Sequence, residues 1–256
     1  MRYVRYQSSD GPRWGALEGE RVRPLRGSPL DPGEPTGATL ALADLRLLAP
    51  CEPTKVVAIG LNYRAHAAEA GLPVPDEPAM FLKPTTAVIG PGEPIVRPRR
   101  SARVDYECEL ACVIRTRMHR VPEVEALRHV LGYTALNDVT ARDIQSLGGN
   151  LLNLTWGKGY DTFCPIGPVL TDEVDPDDVL VEGYLNGRRV QSASTRDFIF
   201  PMARQLSWIS HIMTLLPNDV VTTGTPPGIG PMKPGDVIEV RIAGIGTLSN
   251  PVVDET

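Results

Sequence analysis

The chain has 256 residues, 42% of them hydrophobic, which is enough for one large domain or one domain with a small appendage. Its 26 basic and 31 acidic residues leave a net charge of −5, too little for a global field that holds a polyanion and unlike a disordered chain. With 25 Pro and 24 Gly and no G-X-Y period, coiled coil, collagen and repeat arrays are excluded, and short strands and turns are favoured over long helices.

In chain order, Tyr3–Tyr6 reads as a strand, and W-G-A-L-E-G-E-R-V-R-P-L as two strands around a Glu18–Gly19–Glu20 turn. A polar stretch over 27–37 leads into an amphipathic run over 40–48 that closes at Ala49-Pro50. The change in composition there predicts a small β-containing N-terminal domain over 1–52 and a main domain over 53–256. Val56–Gly60 predicts a strand, 62–70 a helix stopped by Gly71 and Pro73, and 106–115 a strand. A helix over 123–130 runs into a second strand ending near Asp138. Thr140 is placed as the N-cap of the next helix, with Asp143 three residues on. Strands over 179–185 and 189–192 flank Asn186-Gly187, a strong hairpin signal. The run 201–216 puts Leu206, Ile209, Met213 and Leu216 on one helical face, and strands over 219–223 and 236–242 follow. The whole is a mixed, β-rich α+β chain. It has no apolar leader, no run near the ~20 apolar residues of a membrane span and no CxxC pair among its four Cys, which predicts a soluble, reduced, cytoplasmic protein.

Alternation along D-Y-E-C-E-L-A-C-V-I places Cys108, Leu110, Cys112 and Ile114 on one face, with Glu107, Glu109, Ala111 and Val113 on the other. Two carboxylates on a strand whose far end is apolar on both faces require a cation. That cation comes either from Arg97, Arg99, Arg100 or Arg103 in the preceding loop, or from a metal. Asp138, at a strand end, adds a third carboxylate unless it serves only to cap the helix after it. Without a Cys/His cluster, such a trio suits Mg2+ or Mn2+, with about three octahedral positions left for substrate and water. His66 and Glu69 lie i, i+3 on one short helix, either as an exposed polar face or as a general base with an orienting carboxylate. T-G-T-P-P-G-I-G (223–230) lacks the G-K-[ST] ending of a phosphate loop, so no nucleotide site is expected.

Seven segments follow one another in the chain: G-L-N-Y-R-A-H-A-A-E, F-L-K-P, D-Y-E-C-E-L, N-D-V-T-A-R-D-I-Q, W-G-K-G-Y-D-T-F-C-P-I-G-P, T-G-T-P-P-G-I-G and G-I-G-T-L-S-N-P-V. In that order and spacing they resemble the fumarylacetoacetate hydrolase family, over roughly residues 53–254. The resemblance implies that family's C-terminal β-roll or barrel, carrying a small N-terminal domain, and a homodimer. It implies that Glu107, Glu109 and Asp138 hold a divalent metal that grips the 2-oxo or enol oxygen and carboxylate of a small acid. It also implies that Lys158, otherwise a solvated turn lysine, stabilises negative charge on the substrate. Gln145 would contact substrate, Thr225 would bind a substrate carboxylate, and His66–Glu69 would ride on a lid bracketed by Gly60 and Gly71. The stretch A-S-T-R-D-F-I-F (193–200) departs from the N-T-S-D-M-I-F form, and the linker S-L-G-G-N-L-L-N-L (146–154) is individual to this chain.

The length implies the short bacterial branch of the family. The first expectation is a 2-hydroxyhepta-2,4-diene-1,7-dioate isomerase/decarboxylase of homoprotocatechuate (aromatic) catabolism, with no nucleic-acid or membrane partner. Acylpyruvate or fumarylpyruvate hydrolysis and oxaloacetate decarboxylation are the alternatives. Hydrolysis needs an activated water, isomerisation a proton shuttle, and decarboxylation only a metal and an electron sink. A non-catalytic, metal-stabilised binding protein would use the trio but would have no need of Lys158 or the His66–Glu69 pair.

Overall fold

Three β-sheets and a few short helices make up the computed structural model, which describes residues 1–33, 35–147 and 153–256. The strands Cys108–Ile114 and Val130–Asn137 are buried along their whole length, as near-continuous apolar runs require of strands covered on both faces. They pair antiparallel with Cys108 opposite Asn137 and Ala111 opposite Thr134. This register carries Glu107 and Glu109 to the same end of the sheet as Asp138.

Among the described residues the main sheet has twelve strands, ten along one path and two, Leu47–Leu48 and Val88–Ile89, paired off it. Its path runs Leu40–Ala41, Arg21–Pro24, Gly11–Glu18, Arg2–Ser8, Cys164–Thr171, Val130–Asn137, Cys108–Ile114, Val220–Thr222, Val56–Gly60 and Ala79–Lys83. Arg2 faces Thr171 and Tyr3 faces Leu170, so the N-terminal strands extend this sheet laterally. A five-stranded sheet, Arg188–Ser194, Leu180–Leu185, Val237–Ile242, Gly246–Asp254 and Ile95–Arg97, covers the Cys108 face. A three-stranded sheet joins Thr140–Ala141, Val104–Tyr106 and Gly230–Pro231.

Leu110, Cys112 and Ile114 enter the larger core with Val181, Val240 and Leu248 from the second sheet and Met202, Leu206 and Ile209 from a helix. On the opposite face, Ala111 and Val113 pack with Leu136, Ile166 and Tyr3. Each large apolar side chain buried in this way contributes about 1.5–3 kcal/mol relative to exposure. The two carboxylates therefore sit where a doubly covered strand gives way to the site.

Several elements differ from the sequence expectation for identifiable reasons. The strand expected over 106–115 is broken at Glu107, with Val104–Tyr106 in the small sheet and Cys108–Ile114 in the large one. At the break the Asn137 Oδ1 accepts the Glu107 N–H at 2.9 Å, in place of a main-chain ladder partner. Thr140 is not an N-cap. It lies in a two-residue strand, and its single hydroxyl proton has the Asp138 carbonyl at 2.9 Å and Glu107 Oε1 at 3.2 Å as acceptors, leaving the Arg142–Gln145 helix without a side-chain cap. The 201–216 helix spans only Met202–Ile212, so Met213 and Leu216 fall outside it. Asn186 (φ 52°) and Gly187 (φ 78°) make the expected hairpin turn between Leu185 and Arg188. Cys164–Thr171 and Gly246–Asp254 are strands that periodicity does not announce, since Pro165, Gly167, Pro168 and Pro251 interrupt it. No helix among the described residues is long and apolar enough to cross a membrane, and all four cysteines are buried free thiols. Residues 148–152 of the 146–154 linker lie outside the described residues, as does Glu34.

Candidate active site

Glu107, Glu109 and Asp138 are all buried, and one oxygen from each lies within 4.8 Å of the others. Their environments differ. Glu107 accepts from Lys158 Nζ at 2.9 Å and from the Arg142 guanidinium. Asp138 is held on both oxygens, by Lys83 Nζ on Oδ1 and Lys158 Nζ on Oδ2, each at 2.6 Å. Glu109 accepts only the Thr222 hydroxyl and the Gly224 N–H, and among the described residues no cation touches it.

The electrostatics follow from these contacts. Burial drives the Glu107 carboxyl up, but the charges of Lys158 and Arg142 reverse this and hold it well below the usual carboxylate range. Burial pushes Glu109 well above that range, and the charges of Asp138 and Glu107 push it further. Burial opposes the Lys158 ammonium, yet Asp138 and Glu107 keep its pKa raised. The cluster is thus short of positive charge at Glu109, beside two other carboxylates. An all-oxygen donor set with this local deficit fits a hard divalent cation held by Glu107, Glu109 and Asp138.

The loop arginines do not supply the missing charge. Arg97 pairs with Asp254, Arg103 pairs with Asp105, Arg100 lies over the Trp156 ring, and Arg99 is tied to Glu255. The cations on the trio are Arg142, Lys83 and Lys158, of which only Lys158 stands out in the sequence. Lys83 had a weak signal: it shares the buried face of its strand with Phe81, where a lysine is out of place unless paired. Arg142 stands i, i+3 from Gln145, whose Oε1 accepts its Nη1 at 2.6 Å. Lys83→Met leaves a buried carboxylate with one cation fewer and is expected to cost about 3–5 kcal/mol of stability. Denaturant unfolding of the metal-free protein checks this, and an unchanged midpoint contradicts it.

His66 and Glu69 lie on the helix Arg64–Glu69, with His66 Nδ1 2.9 Å from Glu69 Oε2. A carboxylate can only accept here, which assigns the imidazole proton to Nδ1 and leaves the Nε2 lone pair free. The other Glu69 oxygen accepts the Gly228 N–H at 2.9 Å. The segment T-G-T-P-P-G therefore serves two carboxylates with main-chain donors, Glu109 through Gly224 and Glu69 through Gly228. Both glycines have left-handed φ, +91° and +99°. A Cβ on Gly224 would meet the Asn62 Cβ at 2.9 Å, and one on Gly228 would meet the Val190 carbonyl at 2.2 Å.

One cavity of about 380 Å³ is lined by His66, Glu107, Glu109, Asp138, Gln145, Lys158 and Thr225, with Phe81 and Leu72 among its apolar walls. Glu69 stands behind His66 rather than in the wall.

Residues 55–253 match the family model for the fumarylacetoacetate (FAA) hydrolase C-terminal domain. The chain belongs to the fumarylacetoacetate hydrolase family. Residues 1–50 match a second model, Rv2993c-like, N-terminal. This family member is similar to the solved structure of a 5-carboxymethyl-2-hydroxymuconate delta-isomerase from Mycobacterium smegmatis, with a TM-score of 0.92 and 42% identity over 100% of both chains. It is also similar to that of a 2-hydroxyhepta-2,4-diene-1,7-dioate isomerase from Mycobacterium marinum, with a TM-score of 0.90 and 42% identity, covering 100% of this chain and 99% of that one. The mitochondrial oxaloacetate tautomerase fahd2 of Xenopus laevis is 41% identical over 225 residues, 84% of this chain and 70% of that protein.

Two further wall residues of this fumarylacetoacetate hydrolase family chain are already oriented. Arg142 fixes the Gln145 amide so that its nitrogen keeps its donors. The Thr225 hydroxyl donates to the Cys108 carbonyl at 3.2 Å and accepts from Gln191 Nε2 at 2.9 Å.

Proposed function

We propose that the chain is a divalent-metal-dependent isomerase of small 2-oxo or enol dicarboxylic acids, with 2-hydroxyhepta-2,4-diene-1,7-dioate as substrate. The observation that carries this reading is that His66, hydrogen-bonded to Glu69, lines the same cavity as an all-oxygen trio. The two isomerases among its structural relatives support it. Mg2+ or Mn2+ would be held by Glu107, Glu109 and Asp138, and when bound it supplies Lewis-acid stabilisation of negative charge on the 2-oxygen.

Isomerisation relocates one proton. The enol O–H proton leaves as C2=O forms, the C2=C3 and C4=C5 double bonds give way to C3=C4, and C5 gains a proton. His66, with Nε2 free, takes up and returns that proton, and Glu69 offsets the imidazolium charge formed in between. The Lys158 ammonium stabilises negative charge on the substrate. The Gln145 amide donates to a substrate oxygen, and Thr225 sits at a carboxylate end once its hydroxyl turns from the Cys108 carbonyl. Phe81 and Leu72 flank the hydrocarbon chain.

The same dyad favours one second reading, activation of water for C–C cleavage of an acylpyruvate. A panel of 2-hydroxyhepta-2,4-diene-1,7-dioate, acylpyruvates and oxaloacetate, each with Mg2+, Mn2+ or EDTA, separates the two. The expected result is highest kcat/KM on the dienedioate, abolished by EDTA. Preferential acylpyruvate cleavage would establish the second reading, and EDTA-insensitive turnover would overturn the metal assignment.

A further inference from the structure

The His66 helix has only six residues and no side-chain cap at Tyr63, so its position is set by the chain entering it. Leu61, in the cavity wall, has φ +53°. That left-handed conformation costs a residue with a Cβ about 1–2 kcal/mol, so neighbouring contacts must hold it. Asn62 follows and is fully buried. Its Nδ2 donates to the Thr223 carbonyl at 2.8 Å and the Phe200 carbonyl at 3.2 Å, and its Oδ1 accepts the Phe200 N–H at 2.8 Å. Its own carbonyl accepts the Ile199 N–H at 2.7 Å.

The Asn62 amide thus joins three segments: the entry to the His66 helix, the end of the divergent A-S-T-R-D-F-I-F stretch, and the strand exit at Thr223. The next residue along that exit, Gly224, donates to Glu109 and lacks the Cβ that would collide with Asn62. We propose that Asn62 is a positioning residue that sets the His66–Glu69 dyad in register with the Glu109 end of the carboxylate trio and holds Leu61 in its left-handed conformation. The inference rests on reading the dyad as the proton-transfer base. No other side chain of this size offers both an amide donor pair and a carbonyl acceptor to these partners.

A double-mutant cycle on dienedioate turnover, with Mg2+ binding measured by calorimetry, tests it. Asn62→Ala is expected to lower kcat about 10–100-fold, the cost of a misplaced group, while leaving Mg2+ affinity within about threefold. In a His66→Ala background the same change should cost less than about twofold, because its effect passes through His66. Asn62→Asp, which keeps the shape and loses the donors, should repeat the pattern if the alanine variant folds poorly. Amide exchange provides a substrate-independent reading: residues 64–70 should exchange at least about tenfold faster in Asn62→Ala, with the Cys108–Ile114 strand unchanged. Equal losses in both backgrounds, wild-type turnover of Asn62→Ala, or unchanged exchange at 64–70 would overturn the proposal. A fully active His66→Ala enzyme would instead remove the dyad reading itself, and Asn62's role with it.

Discussion

Glu109→Gln is expected to eliminate Mg2+ binding and to lower turnover by about 10³-fold, the several kcal/mol of charge stabilisation a bound cation supplies. The glutamine keeps an oxygen to accept from Thr222 and Gly224, so the change removes charge and little else. The same variant should be more stable than wild type without metal. Glu109 is a buried carboxylate with no cation of its own, facing Asp138 and Glu107, and its carboxyl is raised well above the usual range. A carboxyl raised on folding adds stability below its unfolded pKa and loses that stability as pH climbs through the folded value. Metal-free wild type should therefore lose stability relative to Glu109→Gln as pH rises from the ordinary Glu value of 4.5. Paired thermal melts at pH 4 and pH 8, with calorimetry for Mg2+, check both parts. A glutamine variant that remains active in EDTA contradicts the metal site.

His66→Ala carries the second large effect. Losing a positioned general base costs about 10²–10⁴-fold, and that loss should fall on dienedioate isomerisation and on any acylpyruvate hydrolysis. Oxaloacetate decarboxylation needs only a cation on the 2-oxo acid, so it should fall by less than about threefold. Mg2+ affinity should be unchanged, because His66 is not one of the three carboxylate ligands and its Nδ1 is committed to Glu69. Equal losses in all three reactions would remove His66 from proton transfer. Unequal losses place the chemistry on the dyad and leave the trio's role independent of it.

The carboxylate trio was legible in the chain because a strand's two-residue period forces Glu107 and Glu109 to one side, and a buried second strand ends in Asp138. The His66–Glu69 pair was legible for the corresponding helical reason. The cations that balance the trio were not. Lys83 lies on Ala79–Lys83, four strands along the sheet path from Val130–Asn137, yet its Nζ reaches Asp138, and neither the sheet order nor the folding that brings these ends together is written in local periodicity. Arg142 was hidden in a motif read for its Asp and Gln, and nearby loop arginines were the more obvious donors by sequence distance. Thr140 was misassigned because a threonine before a short helix has the same local pattern whether it caps that helix or donates to a buried carboxylate. The T-G-T-P-P-G segment reads as a failed phosphate loop until folding shows its N–H groups on Glu109 and Glu69. Among the strands, Cys164–Thr171 was obscured by Pro165 and Pro168, and Ala79–Lys83 and Ile95–Arg97 were too short and too irregular in pattern to announce themselves.

The most direct test of the central claim is proton NMR of 2-hydroxyhepta-2,4-diene-1,7-dioate in D2O with the Mg2+-loaded protein, compared with the EDTA-treated protein. The account predicts enzyme- and Mg2+-dependent formation of the 3-ene 2-oxo isomer with deuterium at C5 and the carbon chain intact. Unreacted dienedioate, C–C cleavage products, or the same isomer at the same rate in EDTA would contradict it.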